Sequence, residues 1–542
     1  MAAFTVVDYV LKRLREQGVE ALFGVPALYC APLFDAAPAH GITPVVTASD
    51  LEAGYAADGY ARTKGLAAVS VANGVGTLSL INAVAGAYVE RSPVVVINGG
   101  PTAGHLADLA ERDVVYSHST GRASTELDAF ALITAKSVRA ATKEEVPAVV
   151  DGAITAALVS KRPVYIEINM GIWGQPCASP GPPLTSNVPP AGTETQLAAT
   201  IVGLIRAAQT PVLLVGTEVA RYGLADAVAD LIAKLGVRWA SDMLAKSTLA
   251  EQGAGWIGVY DPPYVPPAIR AQVESTDLLV TLGCVFPNSF ASLVTQKFGT
   301  MVALYDGKVR VKNQPKQNAE IRALVAAMRT KAAEQPPANV PPGAVPAPPA
   351  PAAGALTYQQ AFQRIGNALD ETLITIPDTF LGTYSAANLP VKGRDSFLVD
   401  SVWASIGHSV AAAVGASFGS SRRPLVICGD GGFHMTAQSL STMVRYGRNP
   451  IVVLIANGIF GFEQFLLDRS YFGENSNTPA RPYTVINQWD FVKFADSLGV
   501  QCAKTVNTAA ALDTELVAAK TNPGPCLIIA QVLPRGLPVE ME

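Results

Sequence analysis

Two polar side chains, each placed directly after an apolar run of strand length, carry the densest chemistry in this 542-residue chain. Pro424 to Cys428 is one such run and leads into Gly429-Asp430-Gly431-Gly432. Ile451 to Ala456 is the other and leads into Asn457-Gly458-Ile459. Open α/β sheets bind ligands beyond the carboxyl ends of their strands, which is where both motifs fall. Asp430 and Asn457 offer hard oxygens and a backbone carbonyl near Ile459 a third. That set suits Mg²⁺, which completes its octahedron with phosphate oxygens and water. The glycines Gly429, Gly431 and Gly432 let backbone N–H groups approach phosphate closely. The segment therefore reads as a site for a magnesium-bound diphosphate, with Asp430, Asn457 and Ile459 as metal ligands. Either motif alone would suit an ordinary strand–turn junction. A separation of 27 residues joins them across one helix and one strand.

This offset, with its neighbours, resembles the signature of thiamine diphosphate enzymes, a GDG followed after a helix and a strand by Asn. More narrowly, GDGGFHMTAQSLSTMVRYGRNPIVVLIANGIFGFEQ resembles the 2-keto acid decarboxylases that act on pyruvate, indolepyruvate or phenylpyruvate. In that family a Glu follows the metal-binding Asn by six positions, where Glu463 stands. Val485-Ile486-Asn487-Gln488-Trp489-Asp490-Phe491 resembles the stretch found after that Glu. The resemblance implies thiamine diphosphate and Mg²⁺ as cofactors and covers essentially the whole chain. It also assigns roles. Glu463 is a proton-transfer group, Ile406 in Trp403-Ala404-Ser405-Ile406-Gly407 is the wedge that bends the cofactor, and the Ala404 carbonyl accepts from its 4′-amino group.

The family also uses an acid that hydrogen-bonds N1′ of the pyrimidine, just ahead of a Gly-rich helix. The matching stretch is Asp50-Leu51-Glu52-Ala53-Gly54 through Gly59-Tyr60-Ala61-Arg62, and anchoring it on Gly54 places Asp50 where the family has Glu. Glu52 is the rival candidate. Two residues along a helix turn a side chain by about 200°, so the two acids should face different ways. Asp50 would also serve as a simple helix cap. Two further departures accompany it. His118, in Tyr116-Ser117-His118-Ser119, is the single histidine where the family has a His-His pair, and Leu28 replaces an acid. Fewer relay groups would slow aldehyde release and favour attack on a second carbonyl, so carboligation is expected beside decarboxylation. The aliphatic and aromatic residues Leu28, Leu381, Phe462 and Phe465 suggest an apolar substrate pocket.

The elements that must position these residues follow from pattern and composition. A chain of this length exceeds one hydrophobic core and suggests several domains. Hydrophobic residues make up 49% and charged residues 15%, and a net charge of −4 with no basic cluster argues against a nucleic-acid surface. The first twenty residues interleave charge with apolar positions and read as a first helix rather than a leader. The six cysteines lack CxxC spacing and read as reduced thiols of a cytoplasmic protein. Residues 1–180 show the alternation of helix and apolar run that builds a parallel sheet. Residues 192–334 form a second α/β unit, 335–355 a Pro/Ala-rich spacer, and 356–542 a third unit holding the diphosphate motif. The expected fold is α/β, three doubly wound domains with mostly parallel sheets, in the family's order of pyrimidine-binding, central and diphosphate-binding. In that family each cofactor is held between two subunits, so a homodimer is the minimum and a homotetramer common.

Two other readings compete. One is a synthase or lyase of the acetolactate synthase or benzaldehyde lyase kind, against which Glu463 and the Trp489 stretch argue. The other is a cofactor-binding homologue of low activity, consistent with Asp50, Leu28 and Ser119.

Overall fold

The computed structural model describes residues 4–338, 355–473 and 475–542. Most of the expected Pro/Ala-rich spacer, 339–354, lies outside the described residues. The first domain carries an all-parallel sheet of β1 (Ala21–Gly24), β2 (Thr43–Val46), β3 (Ala67–Ser70), β4 (Val94–Gly100), β5 (Lys136–Ala140) and β6 (Val164–Asn169), ordered β2-β1-β3-β4-β6-β5. The central domain holds β7 (Val212–Val215), β8 (Arg238–Ser241), β9 (Trp256–Val259), β10 (Leu279–Leu282), β11 (Val302–Tyr305), β12 (Lys308–Val311) and β13 (Gln317–Asn318). Their order is β13-β12-β11-β10-β7-β8-β9, with the β11-β12-β13 edge antiparallel. The third domain is again all parallel: β14 (Leu373–Pro377), β15 (Arg423–Gly429), β16 (Ile451–Ala456), β17 (Cys502–Val506) and β18 (Cys526–Gln531), ordered β14-β15-β16-β18-β17. Strands this apolar must be covered on both faces, and helices cover them. Among the described residues no helix is long and apolar enough to cross a membrane.

The first and third domains share a core through two helices. Helix Asp50–Lys64 starts on Ser49, whose Oγ accepts the Glu52 N–H at 3.1 Å, and stops at Gly65, where φ is +99°. Its acids fall in the first turn and Arg62 and Lys64 in the last, the arrangement the helix dipole favours. Helix His408–Gly419 is apolar all round (HSVAAAVGASFG), as a helix buried on every side must be. The two pack backbone to backbone. A Cβ on Gly59 would lie 2.2 Å from the Ala412 carbonyl oxygen, and one on Gly415 would lie 1.7 Å from that of Ala56. Glycine at both positions is thus a requirement of the close approach.

Gly415→Ala should therefore destabilise the protein by about 3 kcal/mol, the upper end for overpacking, because the obstructing atom is backbone and cannot rotate away. Urea denaturation should show an earlier first transition. A midpoint equal to the parent's would show that the helices have room to part.

Candidate active site

Register places the diphosphate motif. β15 and β16 pair in parallel with Gly429 opposite Ile455, so the residues that follow them, Asp430 and Asn457, leave the sheet at the same end. Asp430 opens the helix Asp430–Thr436 and is 3% exposed. Its Oδ2 accepts the N–H groups of Asn457 at 3.0 Å and Gly458 at 2.7 Å, and its Oδ1 accepts that of Gly431 at 3.1 Å. Burial, partly offset by these bonds, pushes its carboxyl up to about 6. The Asn457 amide is held on both sides: its Nδ2 donates to Tyr358 Oη at 3.2 Å and its Oδ1 accepts the Ile459 N–H at 3.2 Å. Ile459 bridges Val485, but the bonds of that bridge use Gly458 and Thr484 oxygens, which leaves the Ile459 carbonyl free of it. One buried carboxylate, one oriented amide and one backbone oxygen fit a hard cation that also binds phosphate. Among the described residues no group of three or more His, Cys, Asp or Glu could hold a metal unaided.

Beside this loop runs the segment 400–409, clamped by acids. Asp378, just past β14 and 1% exposed, accepts Gly407 N–H at 3.0 Å, Ser409 N–H at 3.2 Å and Ser409 Oγ–H at 2.6 Å. Glu90, fully buried in the first domain, accepts the N–H groups of Val402 at 2.6 Å and Trp403 at 3.1 Å. Asp400 accepts that of Ser405 at 3.0 Å. His408 Nε2 meets Asp58 Oδ2 at 2.7 Å, so this histidine is a pin between domains, turned into the helix pair. Between the clamps Ala404 has a φ of +57°. Left-handed backbone costs an alanine roughly 1–2 kcal/mol. Gly407 rests on the diphosphate loop, a Cβ there lying 3.0 Å from the Gly432 oxygen, so Ile406 is fixed next to that loop and stays partly exposed.

On the first domain the two acids diverge as the helix geometry requires. Glu52 is fully buried. Its Oε2 accepts the Ala48 N–H at 2.9 Å, and its Oε1 is buried without a hydrogen-bond partner. Asp50 faces the Gly-rich turn after β3, where a Cβ on Gly76 would come within 3.0 Å of its Oδ1. That oxygen is buried and has no hydrogen-bond partner. Burial raises the Asp50 carboxyl as well. The next glycine of that turn, Gly74, packs on the backbone of His118, itself at φ +68°. Leu28, 77% exposed, follows β1. Asp50, His118 and Leu28 thus share the carboxyl end of the first sheet, as Asp430 and Asn457 share that of the third. Glu463 lies on helix Gly461–Leu467 with its side chain in solvent. Trp489 stacks on His434 at 4.0 Å, tying the later motif to the diphosphate helix.

Sequence reasoning missed Asp378, Glu90, Asp400 and Tyr358. Asp378 had a signal, since it ends an apolar run as Asp430 does; the other three have none. The expected apolar pocket needs correction. Phe465 (7% exposed) and Leu381 (2%) belong to a core shared by the central and third domains, where Phe465 meets the rings of Tyr264 and Phe472.

Glu52 gives a pH-dependent prediction. Burial, only partly offset by its hydrogen bonds, raises its carboxyl to about 7, so the folded protein holds this proton more tightly than the unfolded chain. Stability contributed at low pH is then lost as pH rises from about 4.5 to about 7. Glu52→Gln should match the parent near pH 4.5 and exceed it by on the order of 2 kcal/mol above pH 7. Melting temperatures across that range should diverge; parallel curves would place an unperturbed carboxyl at 52.

Comparison with known proteins agrees with this geometry. Residues 4–132 match the thiamine pyrophosphate enzyme N-terminal TPP binding domain, 198–325 its central domain and 381–530 its C-terminal TPP binding domain. An alpha-keto-acid decarboxylase of Mycolicibacterium paratuberculosis is 31% identical over 552 residues, covering 98% of this chain and 94% of the relative. One of Mycobacterium tuberculosis is 31% identical over 550 residues, covering 98% and 95%. The crystal structure of benzoylformate decarboxylase from Polynucleobacter necessarius superposes with a TM-score of 0.80 at 17% identity, covering 99% of this chain and all of the other. Three mostly parallel α/β domains, a buried Asp–Asn pair at one sheet end and whole-length similarity converge: the chain belongs to the thiamine pyrophosphate enzyme family, among the alpha-keto-acid decarboxylases.

Proposed function

We propose that this protein decarboxylates 2-keto acids without oxidation, releasing aldehydes, with thiamine diphosphate and Mg²⁺ as cofactors. The observation that carries the reading is the buried Asp430 carboxylate beside the oriented Asn457 amide, supported by relatives named alpha-keto-acid decarboxylase along the whole chain. Asp430, Asn457 and the Ile459 carbonyl would hold Mg²⁺ against the diphosphate, with Gly429, Gly431 and Gly432 lining it. Ala404 would accept from the 4′-amino group, and Ile406 would support the bend. Asp50, with its unpartnered Oδ1, would hold a proton at N1′ of the pyrimidine. Thiamine diphosphate, when bound, would supply the carbon that adds to the ketone and the sink for the electron pair left behind when carbon dioxide departs. Glu463 and His118 would move the protons needed to form and release the aldehyde after carbon dioxide has left.

Both half-sites are ringed by exposed apolar side chains: Leu28, Val75 and Val115 on one, Trp403, Met435 and Leu466 on the other. Such a surface calls for a partner, and a second copy whose first domain faces this chain's third would complete the site. A homodimer, or a tetramer built from two, is the assembly this supports. Six unpaired cysteines, four of them buried, suit a reducing, cytoplasmic setting. A lone imidazole at 118 and an aliphatic side chain at 28 favour some carboligation. Incubation with phenylpyruvate, pyruvate and branched 2-keto acids should yield the corresponding aldehydes, and added benzaldehyde a hydroxyketone. Tight cofactor binding with no turnover of any keto acid would refute the reading.

Because the cation lacks a complete protein cage, Mg²⁺ and thiamine diphosphate should bind only together. Asp430→Ala should abolish retention of both in calorimetry, and unchanged cofactor affinity would remove Asp430 from the site.

Asp50→Asn should nearly abolish exchange of the cofactor C2 proton, followed by deuterium incorporation and NMR, whereas Glu52→Gln should leave it intact. Glu463→Gln should bind cofactor normally and turn over roughly 10²–10⁴-fold more slowly. Fast exchange in Asp50→Asn, or parental turnover in Glu463→Gln, would overturn the respective role.

A further inference from the structure

Where the three domains meet, away from the residues above, lies a cavity of about 340 Å³. Its walls carry Arg62, Lys64 and Lys161 from the first domain, Arg221 and Lys246 from the central domain, and a single carboxylate, Asp395, from the third. Three of the five cations are balanced from outside: Arg62 by Asp58 and Glu90, Lys64 by Glu20, Lys246 by Glu251. Arg221 and Lys161 are not. Among the described residues neither forms an ion pair, and the Arg221 Nε is buried without a hydrogen-bond partner. Asp395 is exposed and pairs with neither. Burial, with Arg62 nearby and against the pull of Asp58 and Glu90, brings Arg221 down to about 10; burial together with Arg322 and Arg221 brings Lys161 down to about 8. Both side chains are half-buried, and a half-buried cation without an ion-pair partner still carries a desolvation cost.

The backbone around the cavity carries a second, independent mark. Nine described residues other than glycine have positive φ, and three of them line this one cavity, one from each domain: Lys161 at +55°, Ser247 at +63° and Asp395 at +53°. Strain of this kind persists where surrounding structure enforces it, and it gathers at ligand clamps.

We infer that this cavity is a binding site for a phosphate group, free or borne by a small metabolite, held by Arg221 and Lys161. Two unmatched positive charges call for two negative ones, which a phosphate supplies and a monocarboxylate does not. The guanidinium fork matches tetrahedral oxyanions. The volume falls in the range of small-molecule sites and exceeds what a bare ion needs. The site stands apart from the diphosphate loop and does not depend on the reaction assigned above.

The experiment uses the full chain loaded with thiamine diphosphate and Mg²⁺, so that the cofactor site is filled. Calorimetric titration with inorganic phosphate at constant ionic strength should saturate at one phosphate per chain, while acetate and chloride should not saturate. Arg221→Met and Lys161→Met should each weaken phosphate at least tenfold. Without phosphate, Arg221→Met should melt at or above the parental temperature, since it removes an unmatched charge. Glycerol phosphate binding more tightly than phosphate through the same residues identifies an ester as the ligand; the reverse identifies the free ion. Absence of saturation, saturation by acetate equal to that by phosphate, or parental phosphate affinity in both variants would overturn the assignment. Should Arg221→Met fail to fold, Lys161→Met decides alone.

Discussion

The working surface of this protein depends on how one irregular segment, residues 400–409, is held. It has no ladder or helix of its own to satisfy its N–H groups, and buried carboxylates do so instead. Asp378 and Asp400 come from the third domain and Glu90 from the first. Hydrogen bonds of this kind are each worth about 0.5–1.5 kcal/mol net, and more where the acceptor is charged. Several of them together exceed the roughly 1–2 kcal/mol that the left-handed Ala404 opposes. Buried acids in turn need cations. Arg62 meets this need by reaching Asp58 at 2.8 Å and Glu90 at 2.8 Å and donating to the Val399 carbonyl at 2.7 Å. Although burial pushes the Asp58 carboxyl up, Arg62 and His408 hold it well below the ordinary range.

The site itself is left electrically unfinished. Asp430 and Asp50 are carboxyls raised by burial, and among the described residues neither forms an ion pair. In the function proposed above, a cation and a polar heterocycle would supply what each is missing. Ligand binding to the folded state then adds to its stability by mass action, so the cofactor-loaded protein should be the more robust form.

How much of this could be read from the sequence depended on distance along the chain. The meeting of Asp430 and Asn457 was legible because its parts are local, each residue ending an apolar run a fixed interval apart. The strand at Ile451–Ala456 lies where the pattern placed it. The divergence of Asp50 from Glu52 followed from helical rotation. The clamp was illegible, since Glu90 is 312 residues from Val402 and nothing near either names the other. Phe465 and Leu381 were misjudged because hydrophobicity says that a side chain seeks cover without saying which cover it finds.

The helix pair joining the first and third domains also sets a timetable for biosynthesis. Asp58 waits for His408, 350 residues later, and Ala56 and Gly59 wait for the same helix. At roughly 5–20 residues per second a ribosome needs roughly 20–70 s to cross that interval. Throughout it, the alanine-lined face of helix Asp50–Lys64 has no native cover. A nascent chain with such an uncovered apolar face is a natural client for holding chaperones, and slower translation upstream of residue 408 would prolong its exposure.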